Sequence, residues 1–126
     1  MRTYFFLLFF LFSIESLSKE IGLQYFVNGK YIGIKIERIE NLKINCSTKA
    51  KCKALAVAKG KPFKAEESTG PSYHNAGASY CWDVGAKNRI LKDAKNNEYD
   101  FCVFDDGSMI DAWNLYSKHY PPKRIK

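Results

Sequence analysis

Four cysteines, Cys46, Cys52, Cys81 and Cys102, constrain this chain's fold more than any other feature. An even number of cysteines in a short exported chain reads as disulfides. Four of them permit three pairings. The pairs Cys46–Cys52 and Cys81–Cys102 are favoured, because each lies within one local unit of the sequence. The second pair closes a loop of about twenty residues, worth about 3 kcal/mol in the chain-entropy account. A metal site is not expected. No CxxC occurs, and neither His74 nor His119 stands at ligand spacing from a cysteine. No cofactor is expected either.

The amino terminus supplies the exported context. Arg2 gives a positive start, and Tyr4 to Phe12 read YFFLLFFLF without a charge. Ser16-Leu17-Ser18 then places small residues where a signal peptidase reads. This order predicts a signal peptide over residues 1–18, cut before Lys19. The apolar run is about half the length a membrane-crossing helix needs. The mature chain is expected to be soluble, exported, and periplasmic or extracellular.

What remains is enough for one α+β domain with a modest core, stapled by the two bridges. It is read in two parts, a basic β-rich part over 19–70 and a second part over 71–126, with the polar connector EESTGPSYHN between them. In the first part Leu23, Tyr25 and Val27 alternate with other residues, as do Ile32, Ile34 and Ile36. Asn28-Gly29 between them predicts a hairpin with one apolar face. Leu42 to Cys46 suits a third strand. Ser47 to Lys59 carries two competing patterns. Its alanines and a possible Ser47 cap suit a helix, whereas Lys49, Lys51 and Lys53 alternate as in a strand; the helix is taken. The second part reads helix, strand, strand, helix. Asn75 caps the first helix and Gly85 stops it. Strands follow around Ile90–Leu91 and Tyr99–Phe104, with a turn at Asp93 to Asn97. Ser108 to Asp111 looks like a capping box for a last helix carrying Met109, Trp113 and Tyr116 on one face.

Within this second part, NAGASYCWDVGA (75–86) and CVFDDGSMIDAWNLY (102–116) carry a resemblance. Together they resemble a family of exported bacterial domains of unknown function, often labelled putative hemolysin. Asn75, Tyr80, Cys81 and Gly85 fall on the family's first motif. Cys102, Phe104, Asp106, Gly107, Ser108, Asp111, Trp113, Leu115 and Tyr116 fall on its second. Ala76 stands where the family has proline, and Ala86 replaces a second glycine. The resemblance covers a little over a third of the chain and implies no active site. The spacings of Tyr80, Phe104, Trp113 and Tyr116 suit a core; Trp82, Trp113 and Tyr116 could alternatively line a shallow aromatic cleft.

Charge offers the other candidate site. The formal net charge is +7 and is unevenly placed. Lys43, Lys49, Lys51, Lys53, Lys59, Lys61 and Lys64 follow one another with no acid among them. Such a stretch steers a protein toward anionic partners, although a solvated face that aids solubility gives the same pattern. Lysine rather than arginine favours diffuse attraction over shaped phosphate recognition, so nucleic acid is not expected. Lys49, Lys51, Lys53 and Lys59, with the three aromatics of the cleft, are the candidate binding residues. Expected partners are anionic lipid, lipopolysaccharide or an acidic protein. The expected function is non-catalytic binding. Alternatives are a toxin-like or inhibitor-like protein, which the hemolysin label suggests, and a small hydrolase using His74 and His119. Asp105, Asp106 and Asp111 lack a calcium-loop pattern.

Overall fold

A computed structural model of the protein describes residues 21–48, 50–63 and 75–121. The expected export signal, Lys49, Lys64, His74 and most of the polar connector lie outside the described residues. The fold is α+β; among the described residues, six strands close into a small barrel with three helices on its wall.

Strands β1 (Ile21–Val27) and β2 (Lys30–Ile39) form the expected hairpin. Asn28 and Gly29 adopt φ of 51° and 78°, both in the left-handed region that such a turn needs. Glu40 and Asn41 repeat the device at φ 49° and 68°, turning the chain into β3 (Leu42–Asn45). After α1 (Lys53–Lys59) and α2 (Ala76–Asp83) come β4 (Lys87–Lys92), β5 (Glu98–Val103), β6 (Met109–Asp111) and α3 (Ala112–His119). Neighbouring strands run in the order β1-β2-β3-β6-β5-β4, all antiparallel, and β1 meets β4 to close the ring. Strands on either side of the connector thus share one barrel.

Alternation along the strands sorts side chains into two cores. Leu23, Ile36, Leu91, Phe101 and Met109 fill the barrel. Ile44, Cys102 and Ile110 point the other way and pack under the helices with Cys81, Ala54, Ala112 and Leu115. The Cys81–Cys102 bridge joins α2 to β5 inside this second layer, and Cys46–Cys52 ties the end of β3 to the start of α1. Both pairings are those favoured by the sequence.

Three expectations need correction. Helix α1 begins at Lys53, not near Ser47. A helix running from residue 46 to 52 would separate those Cα atoms by about 9 Å along its axis; the bridge holds them at 5.4 Å. Ser108 does not cap α3. Asp111 does, accepting from the Asn114 N–H at 2.9 Å. Met109 accordingly lies on strand β6 and faces the barrel interior, rather than sharing a helix face with Trp113 and Tyr116. The hairpin face is also graded: Ile36 is fully buried, while Ile32, in the part of β2 that pairs with β1 but not with β3, is 46% exposed.

Candidate functional site

Helix α1 has no cap of its own, because Cys52 occupies its N-cap position and makes no side-chain hydrogen bond there. The turn between β5 and β6 supplies one. The Lys53 N–H donates to Asp106 Oδ2 at 2.8 Å, and the Ala54 N–H donates to Ser108 Oγ at 2.9 Å. Ser108 in turn donates to Asp106 Oδ1 at 2.5 Å. Gly107, at φ 83°, permits the tight turn that brings both side chains to the helix. Desolvation opposes ionisation of Asp106, but the Ser108 hydroxyl and the amides of Lys53 and Ser108 outweigh it and hold the carboxyl below its usual range. The signal in the sequence was the Asp-Gly-Ser run itself; spacing gave no clue that it served a helix elsewhere.

This arrangement brings acids to the lysine stretch. Lys53 Nζ pairs with Asp105 Oδ1 at 3.0 Å. Lys51 and Lys59, with Lys53, line a shallow groove of about 490 Å³ whose apolar part comes from Cys52, Leu55 and Ala56. Asp106 closes one side of it. Of the four predicted lysines, three therefore share one groove, and one of the three has a carboxylate partner.

The aromatic candidates lie on the two other helices. On α3, Trp113 meets Tyr116 edge-on at 6.1 Å between centroids. Trp113 is 46% exposed, yet its ring lies so close over Gly77 of α2 that a Cβ there would stand 3.1 Å from it. Tyr116 packs on Tyr80 and Tyr120. Trp82 is half-buried on α2. Helical geometry turns it about 200° from Tyr80, away from the α3 side of the helix. The structure thus unites Trp113 with Tyr116 and sets Trp82 on a different face.

His119 is buried and bridges two helices. Its Nε2 donates to the Ala58 carbonyl at 3.2 Å, and its Nδ1 is hydrogen-bonded to the Tyr80 hydroxyl. Tyr80 also accepts from the Phe63 N–H at 3.0 Å. Both ring nitrogens therefore hold the fold together.

Asp111, two residues beyond Met109 on β6, faces the barrel interior with it. Asp111 is 6% exposed, and Lys43 Nζ lies 5.1 Å from the Tyr99 ring centroid. Burial raises the Asp111 carboxyl above its ordinary value; the Asn114 amide and the Lys43 charge only partly offset this.

A family model described as Domain of unknown function (DUF333) matches residues 72–119. The match takes in α2, β4, β5, β6 and α3, and leaves out β1, β2, β3 and α1. No curated protein matches the chain, and no solved structure does. The Asp106 and Ser108 side chains belong to the matched segment, while the helix they cap lies outside it.

Proposed function

We propose that the protein is an exported, non-catalytic binding protein whose α1 surface engages an anionic partner: lipid, lipopolysaccharide or an acidic protein. One observation carries this reading. Lys51 and Lys59 stand beside an open groove that also offers apolar surface, a combination that suits attachment to a charged interface. Two disulfides support an oxidising compartment. No helix among the described residues is long and apolar enough to cross a membrane.

The test is sedimentation with vesicles of phosphatidylglycerol and phosphatidylcholine against vesicles of phosphatidylcholine alone. Binding is expected only to the anionic set, and to fall as salt rises through the physiological range. A juxtamembrane lysine contributes about 1 kcal/mol, so Lys51→Ala with Lys59→Ala should weaken binding about thirtyfold. Lys53→Ala should weaken it less, because Asp105 already neutralises that ammonium. Binding indifferent to all three lysines would sink the proposal. Dye leakage from the same vesicles tests the lytic activity that the hemolysin label suggests.

A further inference from the structure

The first hairpin ends without a third strand. β1 meets β4 only at Gln24 and Tyr25, and β2 meets β3 only from Glu37 to Ile39. Phe26 and Val27 pair with Tyr31 and Lys30, and with no other strand among the described residues. From Phe26 to Tyr31 the chain is thus a two-stranded ribbon bonded to itself alone.

A ribbon with one face on a core is expected to be polar on the other. This one is apolar on both. Phe26 and Tyr31 stand opposite each other on one face, with ring centroids 4.9 Å apart, and are 55% and 58% exposed. The other face fills the barrel further along, through Leu23 and Ile36. Near the turn it carries Ile32, 46% exposed and opposite Tyr25. The charges alongside have one sign. Ile21 to Ile36 contain Lys30 and Lys35 and no acid. The docking surface of a folded protein covers one face of a ribbon, whereas a lipid interface surrounds both. Lysines beside exposed apolar side chains match a lipid surface that is anionic.

We propose that this hairpin end inserts into the headgroup layer of an anionic phospholipid bilayer, with Phe26, Tyr31 and Ile32 as its anchors. Insertion is shallow. The outer edges of the ribbon carry N–H and C=O groups that hydrocarbon cannot satisfy. The side chains therefore stop at the boundary of headgroup and acyl chain, about 5–10 Å deep. Tyrosine suits that boundary, because its ring is apolar and its hydroxyl can stay wet. The long stem of Lys30 lets its ammonium reach back to the phosphates. Lys35, four residues beyond Tyr31 on the same face, stays among the headgroups. None of these residues lines the α1 groove, and the inference does not rest on what that groove binds.

The test is amide NMR of the oxidised protein with bicelles of phosphatidylglycerol and phosphatidylcholine that carry a nitroxide on the acyl chain. The strongest broadening is expected from Phe26 to Ile32, and none with bicelles of phosphatidylcholine alone. In vesicle sedimentation, Phe26→Ser with Tyr31→Ser should weaken binding by about tenfold or more. Phe26→Leu with Tyr31→Phe keeps the apolar surface and should retain binding. The amide spectrum of each variant reports that it is folded. Full binding by the serine variant would overturn the proposal. Broadening confined to Lys51 through Lys59 would overturn it too, and would leave the α1 reading intact. Broadening at the hairpin that survives Lys51→Ala with Lys59→Ala would support it, whatever those two substitutions do to total binding. Concentration-dependent shifts of the hairpin amides without lipid would assign this end to a second copy of the chain and overturn the proposal.

Discussion

Asp106 and Ser108 cap a helix by accepting from amides 53 and 54 residues away from them in sequence. Removing a cap side chain costs about 1 kcal/mol, and up to about 2. Asp106→Ala and Ser108→Ala should each lower the unfolding free energy by that amount, read from urea titrations as a lower midpoint at unchanged slope. Because the two side chains share a hydrogen bond, the double variant should fall short of the sum, which a double-mutant cycle will measure. Asp111 makes a prediction of different sign. Its folded carboxyl titrates above the unfolded value, so the group favours folding most at low pH and costs stability once ionised. Asp111→Asn keeps a competent cap and removes the buried charge. The variant should be the more stable protein near neutral pH, with the difference vanishing below about pH 4, where both forms are uncharged. Lys43 and Asp100 are the charges that act on this carboxyl, and urea titrations across pH will show the trend. Glu40, at φ 49° in an exposed turn, should be improved by Glu40→Asn by about 0.5–1 kcal/mol, read as a rise in Tm.

Among the elements, the disulfides order themselves by loop length. In the chain-entropy account, replacing Cys81 and Cys102 with alanine should cost about 3 kcal/mol, and replacing Cys46 and Cys52 about 2. The elements also show what was legible. Asn28-Gly29, Asn75, Gly85 and the Asp93 turn announce themselves, because their side chains or φ angles act within a few residues. The first hairpin, β3, α2, β4 and β5 followed from them. Strand β6 was hidden because its three residues carry no repeating pattern, and Met109 and Ile110 fit a helix face as well as a strand. The start of α1 was hidden because its cap arrives from Asp106 and Ser108. The lysines of the candidate site were legible as charges. The pairing of Lys53 with Asp105 was not, since charge counts along a chain say nothing about distance in space.

At the level of the whole molecule, the ring order places β3 beside β6 and β1 beside β4. The segment that matches the family model lacks three of the six strands and the helix that its own Asp106 and Ser108 cap. Expressed alone, residues 72–119 should show no cooperative unfolding and a collapsed amide spectrum. A well-dispersed spectrum from that fragment would mean that the barrel as described is not needed for its fold. The network of Phe63, Tyr80, His119 and Ala58 points the same way, because it pins the chain leaving α1 to both later helices.

Each sulfur bridge begins and ends on the same side of the connector, at 46–52 or at 81–102. A single protease nick between Phe63 and Asn75 would therefore leave two pieces with no covalent tie, held together by the interleaved sheet, the helix-side core and the hydrogen bonds of Asp106, Ser108, Tyr80 and His119. Such a nicked molecule should migrate as one species in native buffer and as two in denaturant without reductant. The halves, mixed afresh, would be a natural pair for complementation.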